Sequence, residues 1–405
     1  MKIRNNYNAT VAASYIGYVT QAIVNNFAPL LFLTFSSEFG LGLDRIALIT
    51  TVNFAVQLLV DLLSAGLIRK TGYRAAIIAA HVFAAAGLVG LAVLPYALPP
   101  FPGIIISVVL YAIGGGLTEV LISPIVEACP TEKKEASMSL LHSFYCWGHV
   151  AVIIISTLFF RVFGVFSWRI LALIWAAVPV FNCFLFAAVP IKTLEGDETG
   201  GKIVDLFRSP VFYVIMAVMV CAGAAEQGMS QWASAFAESA LHVSKTVGDL
   251  AGPCVFALLM GTSRALYGKF GDRIRLDAAM IFCGALCTGS YLLASLTDSA
   301  VAGLIGCGVC GFAVGIFWPG TFSTAAKAMP AAGTALYAFM ALAGDAGCSA
   351  GPSLVGFAAD ASGGDLRRGL IYAVIFPLVL IAGVIILGKM KKARCGVLRK
   401  EVHRS

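Results

Sequence analysis

Charged residues are scarce in this chain of 405 residues. Asp, Glu, Lys and Arg together make up 12% of it, whereas a soluble globular domain carries about 25%. The apolar set AVILMFWYC contributes 59%, and the mean hydropathy is +0.89. This composition also excludes intrinsic disorder, which needs low hydrophobicity. Few charges and long apolar runs are typical of a chain that crosses a bilayer many times.

Signatures of catalysis and of bound cofactors are equally sparse. The sequence contains no nucleotide-binding glycine loop, no Ser-His-Asp or Cys-His arrangement with supporting spacing, and no recurring spacing of metal ligands. The 11 cysteines are scattered through apolar runs, and Cys307 and Cys310 lie inside one of them. We therefore expect a protein that is not an enzyme and that holds neither a metal nor a cofactor.

Twelve apolar segments, bounded by charged or turn residues, make up most of the chain. Each is long enough for a transmembrane helix, which needs ~20 residues. The segments, called spans 1 to 12, cover residues 9–35, 45–67, 75–95, 103–128, 137–163, 168–190, 210–237, 248–268, 278–297, 300–327, 333–358 and 369–388. The predicted fold is an all-α membrane protein with twelve transmembrane helices.

Basic residues are distributed unevenly around these spans. With the N-terminus in the cytoplasm, 21 of the 28 Lys and Arg residues lie on the cytoplasmic side, and Arg264 lies within span 8. The positive-inside rule then places both termini in the cytoplasm of a multi-pass protein of the cell membrane. This bias accounts for the net charge of +7, so we expect no nucleic acid as a partner. The expected partners are the lipid bilayer and a small-molecule solute, and we expect the protein to be a monomer.

A polar stretch between spans 6 and 7 divides the chain into two halves. It predicts a six-helix bundle at residues 1–190, a cytoplasmic loop at 191–209, and a second bundle at 210–405 that ends in a basic tail. Gly116 and Pro124 in span 4 recur with identical spacing as Gly311 and Pro319 in span 10. Such a repeat indicates the duplicated units from which many transporters are built.

These features resemble the major facilitator superfamily. The turn after span 8, Gly268 to Arg273, has the superfamily's Gly-x-x-x-Asp-Arg form, and the turn after span 2 is a weaker copy. The resemblance implies two pseudo-symmetric six-helix bundles. We assign gating or structural charge to the residues of these turns: Arg69, Arg74, Asp272 and Arg273.

Within the superfamily, the chain resembles the fucose-galactose-proton symporter group. The matching segments are Asn25-Asn26 with Pro29, Gly114 to Gly116 with Glu119, Gly223 to Glu226 with Trp232, and Trp318-Pro319. Three positions depart from the group: Asn26 replaces a proton-linked Asp, Val314 replaces an Asn, and Asp345 is an additional acid. The resemblance implies proton symport of a sugar, whereas the departures concern the coupling residue and the identity of the sugar.

Four acidic residues fall well inside the spans: Asp61, Glu119, Glu226 and Asp345. An ionised acid near the bilayer centre costs ~2.5–3.5 kcal/mol on insertion scales, so four oppose insertion by roughly 10 kcal/mol. Arg264 alone cannot neutralise four carboxylates, and desolvation with mutual repulsion favours protonation of at least one. A carboxyl group that loads and unloads a proton is what a proton-coupled carrier requires.

Each acid also has a second interpretation. We assign the coupling proton to Glu119 and Asp61, although Glu119 also suits a structural hydrogen bond and Asp61 a gating salt bridge. Glu226 is assigned to the solute. Asp345 is expected to bond to the region of Arg264, and both, with Glu127 at the end of span 4, are assigned gating or structural charge.

Polar and aromatic side chains at similar depth complete a candidate solute site. Sugars are bound by aromatic faces against C–H patches, with amides and carboxylates on the hydroxyl groups. The candidate substrate-binding residues are Asn25, Asn26, Gln57, Tyr145, Glu226, Gln227, Gln231, Trp232 and Trp318.

The sequence therefore predicts a secondary active transporter that moves a small polar solute, with a sugar favoured, by alternating access and proton symport. Three alternatives stay open. The first is a proton antiporter that exports cationic or drug-like compounds held by Glu226 and Asp345. The second is a carrier coupled to Na⁺ in place of H⁺, and the third is a membrane sensor that kept the fold without transport.

Overall fold

The computed structural model describes residues 6–130, 134–192, 206–270, 275–329 and 333–402. Within these ranges the side chains of residues 65–67, 69, 134–140, 142–143, 268, 333–335, 337 and 392–402 are not described. Twelve long helical segments follow one another along the described chain. Their bounds are α1 Tyr7–Phe39, α2 Leu43–Thr71, α3 Tyr73–Ala97, α4 Pro100–Glu127, α5 Lys134–Phe163, α6 Val165–Ala188, α7 Pro210–Ser239, α8 Lys245–Phe270, α9 Leu276–Leu296, α10 Ala300–Ala328, α11 Gly333–Ala361 and α12 Leu366–Val402.

Eleven of these segments are long and apolar enough to cross a membrane. The exception is α11, which has the length, 29 residues, but carries Asp345 together with many Gly and Ser residues. It packs along α2 and α7 inside the bundle, so we count it as the twelfth crossing. The predicted all-α membrane fold is confirmed.

The helices run past several of the predicted span boundaries. Span 2 was expected to end at residue 67, but α2 continues through the basic residues to Thr71. Gly72 then ends the helix with a φ of +78°, a conformation that only glycine adopts without strain. The apolar run thus ends about one turn before the helix itself does.

Five helices are interrupted within their length, including α7 at residues 231–232 and α12 at residues 373–374. In α1, Pro29 lies in a 3₁₀ turn over Ala28–Leu31, because proline has no N–H group for the α-helical hydrogen bond. In α8, Pro253 lies in a π-helical turn over Leu250–Cys254. In α10, the helix is broken between Val314 and Phe317. The interruptions in α1 and α8 lie close to the contact between the two halves of the bundle.

The repeated glycines make equivalent helix contacts in the two halves. A Cβ atom at Gly116 of α4 would lie 3.0 Å from the side chain of Val60 in α2. Its counterpart Gly311, in α10, lies so close to α8 that a Cβ atom would approach the carbonyl oxygen of Phe256 to 2.2 Å. Each glycine therefore permits the fourth helix of its half to pack closely against the second.

The two halves meet chiefly along α2 with α11 and along α5 with α8. Since successive helices run in opposite directions, the bundle has two ends. The terminal end carries Tyr7, the turn at residue 72 and residues 128–130; the distal end carries residues 40–42, 98–99, 240–244 and 362–365. Described contacts between the halves run from mid-helix to the distal end, where the ring of Phe32 in α1 lies 5.1 Å from that of Trp232 in α7.

Candidate functional site

Three pairs of amide side chains lie at the centre of the bundle. Each pair is spaced i, i+4 on one helix, so both amides face the same direction. The pairs are Gln21 and Asn25 in α1, Asn53 and Gln57 in α2, and Gln227 and Gln231 in α7. All six side chains are buried, so their polar atoms must find partners within the protein.

In the first half, hydrogen bonds between these amides end at an acid. The Gln21 Nε2 atom donates to Gln57 Oε1 over 2.9 Å and to Glu119 Oε2 over 3.0 Å. Asn25 Oδ1 accepts from Gln57 over 2.8 Å and from Asn53 over 3.1 Å. Glu119 of α4 is thus attached to α1 and α2 through amides, and its side chain is only half-buried.

The same network crosses into the second half. Gln231 Nε2 donates to the backbone oxygen of Asn25 over 3.1 Å and to Gln227 Oε1 over 3.0 Å. Gln231 Oε1 accepts from the hydroxyl of Thr50 over 3.4 Å. Gln227 Nε2 in turn donates to Glu226 Oε1 over 3.4 Å. A continuous path of polar contacts therefore connects Glu119 with Glu226.

Glu226 forms an ion pair at the far end of this path. Its Oε2 atom lies 3.1 Å from Arg264 Nη2, and the side chains are 6% and 28% exposed respectively. Arg264 Nη1 also lies 3.8 Å from Cys146 Sγ of α5, which belongs to the first half. Among the described residues, the buried Nε of Arg264 has no hydrogen-bond partner. The pair leaves Glu226 nearly neutralised and one guanidinium donor free.

Asp345 does not lie at Arg264, which corrects the expected bond between them. Its carboxyl group lies instead within hydrogen-bonding reach of Asp61, across the contact of α11 with α2. Neither Asp61 Oδ1 nor Asp345 Oδ2 makes a well-formed hydrogen bond within the described residues, although both atoms are buried. Arg264 is paired with Glu226 instead, and Asp345 lies beside Asp61.

The predicted aromatic residues occupy different surroundings. Tyr145 contacts the side chains of Asn25 and Asn26 and is half-buried. Trp318 lies against Gly344, where a Cβ atom would meet the indole ring at 2.3 Å, and among the described residues its buried N–H has no partner. Tyr145 therefore borders the amide network, whereas Trp318 packs against α11.

Trp232 and Asn26 make local contacts in this state. The Trp232 indole is fully buried, and its N–H donates to the oxygen of Pro352 over 2.9 Å. Asn26 donates to the oxygen of Ala22 in its own helix over 2.9 Å. Trp232 thus packs the two halves together at the distal end, beyond the amide network.

The charges predicted at the terminal end are only partly described. Arg74 donates three hydrogen bonds of 2.8–3.0 Å to the oxygens of Phe186, Ala187 and Val189, which ties α3 to the last carbonyls of α6. This contact is structural and lies within one half. Glu127 is the last residue of α4 and is half-buried. Asp272, Arg273 and the side chain of Arg69 lie outside the described residues.

A cluster at the distal end was missed by the sequence reasoning. Lys245 lies 3.2 Å from Glu238 and 3.3 Å from Asp249, and it donates to the oxygen of Leu30, in the other half, over 2.6 Å. Asp249 is fully buried and also accepts from Thr157 of α5 over 3.3 Å. We call Glu238, Lys245 and Asp249 the distal lock. In sequence, Lys245 and Asp249 have the i, i+4 spacing of an ordinary solvated pair.

Gln21 and Asn53 were missed as well. Each precedes a predicted site residue, Asn25 or Gln57, by four positions in the same span. The i, i+4 repetition of amides in an apolar helix is the signal that identifies them, because such side chains are costly in a span unless they bond to one another.

Comparison with known proteins gives a consistent result. The chain matches the sequence family described as Major Facilitator Superfamily over residues 14–352. The search of curated proteins gave no significant match. Similar solved structures cover nearly the whole chain but share few identical residues, so they show likeness of fold alone.

Three of these structures illustrate the range. A nucleoside transporter, NupG, has a TM-score of 0.75 at 12% identity, with 94% of this chain and 98% of that chain covered. A bacterial homologue of the human lysosomal transporter Spinster, in an inward-facing and occupied conformation, has a TM-score of 0.72 at 12% identity, with 95% and 97% covered. The E. coli fucose:proton symporter FucP has a TM-score of 0.63 at 14% identity, with 94% and 98% covered.

Proposed function

The chain belongs to the major facilitator superfamily, and from this premise we propose that it moves a small neutral hydroxylated solute, with a sugar favoured, by proton symport. The superfamily's transporters carry small solutes across membranes, and the two-bundle fold suits alternating access around a central site. The finer assignment rests on the chemistry of the amide network.

The observation that carries the proposal is the path of polar contacts from Glu119 through the amides to Glu226 and Arg264. Asn and Gln side chains each offer donors and acceptors, which suits a solute whose hydroxyl groups are both. A solute that enters the network breaks hydrogen bonds between amides. Its hydroxyl groups replace them with an equal number of hydrogen bonds to the same amides. Glu119 accepts a bond when ionised and donates one when protonated, which links the proton to the solute.

Access to this site is proposed from the terminal end. The described contacts between the halves run from mid-helix to the distal end, whereas Glu119, Tyr145, Arg264 and Trp318 each keep part of their surface exposed. With the basic residues on the cytoplasmic side of a cell membrane, this arrangement is an inward-facing state of a monomer. The distal lock then closes the outer side.

Nucleosides are a second candidate solute class within this proposal. Their ribose presents hydroxyl groups, and the edges of their bases present the alternating donors and acceptors that amides match. The antiport of cationic compounds is favoured by one observation only. Asp61, Asp345 and Glu119 carry acidic groups at one depth, while Arg264 is occupied by Glu226.

The test uses purified protein in proteoliposomes, screened with tritiated sugars and nucleosides. A proton gradient directed into the vesicles, with the acidic side outside, should drive accumulation of the transported solute. For Glu119→Gln we expect loss of accumulation with solute counterflow retained, because exchange needs the binding site but no proton transfer. The matched control is Glu38→Gln, an acid that bonds to Trp168 at the distal end over 2.9 Å, which should accumulate solute normally.

Two results would overturn the proposal. Normal accumulation by Glu119→Gln would remove Glu119 from proton coupling. The antiporter would be favoured instead if an acidic vesicle interior drove accumulation and if only cationic compounds were transported.

A further inference from the structure

We propose that Asp61 and Asp345 together bind a single proton between the two halves, in a site that exists only while α2 and α11 are in contact. The pair lies beside the amide network, close enough for Glu119 to act on Asp345 as a charge. It concerns the conformational equilibrium of the empty protein, so it needs neither a solute nor the role given above to Glu119.

The two aspartates lie on one continuous contact line. Near the distal end, a Cβ atom at Gly356 of α11 would lie 2.4 Å from Ala47 of α2. One turn further on, the hydroxyls of Thr51 and Ser353 bond to each other, and Ser349 donates to the oxygen of Thr51 over 3.3 Å. Asp61 and Asp345 follow toward the terminal end. Separation of α2 from α11 along this line necessarily pulls the two carboxyl groups apart.

The surroundings of the pair favour a shared proton, since Asp345 is buried and Asp61 is half-buried. Asp345 is 6% exposed, and its Oδ2 atom, like Asp61 Oδ1, is buried without a well-formed bond among the described residues. Two ionised carboxylates in contact repel each other strongly at such a site, whereas one proton converts the pair into an O–H···O⁻ hydrogen bond. The proton would lie between the two carboxyl groups, which contact each other.

Neighbouring ionisable groups do not supply an alternative positive charge. Glu119 of α4 acts on Asp345 as a further negative charge, and Cys348 lies one turn along α11. Arg264 of α8, a described cation within the spans, is paired with Glu226 of α7 at 3.1 Å. Since no described cation pairs with the two aspartates, we infer that a proton neutralises one of their negative charges.

The consequence is a pH-dependent bias between conformations. The bound proton stabilises the state in which α2 and α11 touch, which is the state with a closed distal end. When the proton leaves, repulsion between the carboxylates opposes that contact and favours separation of the halves at the distal end. Since one proton is involved, the ratio of the two states changes by at most about tenfold per pH unit.

The test measures conformation directly in the full chain without solute. Azidophenylalanine is introduced at Leu98 in the first half and at Ser299 in the second, both exposed at the distal end, and a dye pair is attached for single-molecule energy transfer in nanodiscs. We expect the population with a long distance to grow as the pH rises from about 5.5 to about 8.5. Asp61→Asn and Asp345→Asn should each stay in the short-distance population at both pH values, because an amide bonds to a carboxylate without a proton.

Two controls keep the outcome decisive. Ser353→Ala removes a neutral contact on the same helix pair and should keep the pH dependence, although its populations shift. If one Asn variant fails to fold, the other tests the same shared proton. A pH dependence that survives in both Asn variants, or one that only Glu119→Gln abolishes, would overturn the proposal. Failure of the sugar-symport proposal would leave these distances unchanged, because no solute or gradient is present.

Discussion

The ion pair of Glu226 and Arg264 allows a quantitative prediction. In Arg264→Met, Glu226 keeps its place at 6% exposure but loses the cation, and its remaining amide contact, with Gln227, is long at 3.4 Å. Removal of one partner from a buried pair costs roughly 3–5 kcal/mol. Because Arg264 is 28% exposed, water can reach part of the site, so we expect a loss of about 2–3 kcal/mol in the free energy of unfolding.

The companion variant separates charge from packing. Arg264→Met combined with Glu226→Gln removes both charges, and it should recover most of the lost stability, because two neutral side chains avoid the penalty of an isolated charge. The matched control is Arg368→Met, which breaks a pair with Asp365 at 3.7 Å whose side chains are 69% and 42% exposed. Such a surface pair contributes about 0–1 kcal/mol.

The assay is reversible unfolding in mixed micelles, followed by far-ultraviolet circular dichroism. A value for Arg264→Met within the range of the surface control would refute the reasoning, since Glu226 would then be stable without its partner. A double variant less stable than Arg264→Met alone would refute it too, because the charges would not be the source of the loss.

Two further predictions concern the helix contacts and the distal end. Gly311→Ala should lower the free energy of unfolding by about 1–3 kcal/mol, because its Cβ would meet the oxygen of Phe256 at 2.2 Å, whereas Gly289→Ala, with open space at its Cβ, should not; equal losses in the same micelle assay would contradict this. Lys245→Met should open the distal end, because it leaves the fully buried Asp249 without its cation. The distance between labels at positions 98 and 299 would report the opening, and an unchanged distance would show that the distal lock does not hold the halves.

The fold followed from the sequence because its signal is repeated over many residues. Each span needs only an apolar run of sufficient length, and the duplicated Gly116 and Gly311 mark equivalent helix contacts. The end of α2 was less predictable, since Arg69 and Lys70 read as a turn while the backbone stays helical until Gly72. An apolar run predicts that a helix crosses the membrane, but it does not predict the residue at which the helix ends.

The site was predicted less completely because its contacts join distant parts of the chain. Glu119, Gln57 and Gln227 could be selected by their cost in an apolar span. The partner of each acid could not be predicted. Arg264 has several acidic candidates, and the rotation of each helix decides which of them it meets. Asp345 was assigned to the wrong neighbour for this reason. Trp232 resembled a sugar-binding aromatic, but a tryptophan that packs two bundles together has the same sequence surroundings.

Pro29 in α1 affects which substitutions can break the hydrogen bonds between the two halves on the distal side. In an uninterrupted helix the N–H of residue 29 would occupy the oxygen of Asn25, but Pro29 has none, and Gln231 takes that oxygen over 3.1 Å. In the same irregular segment, the oxygen of Leu30 receives Lys245 over 2.6 Å. Both acceptors are main-chain atoms, which no side-chain substitution removes. The first half can therefore vary in sequence at Asn25 and Leu30 without loss of these two links, whereas Gln231, Lys245 and Pro29 itself cannot.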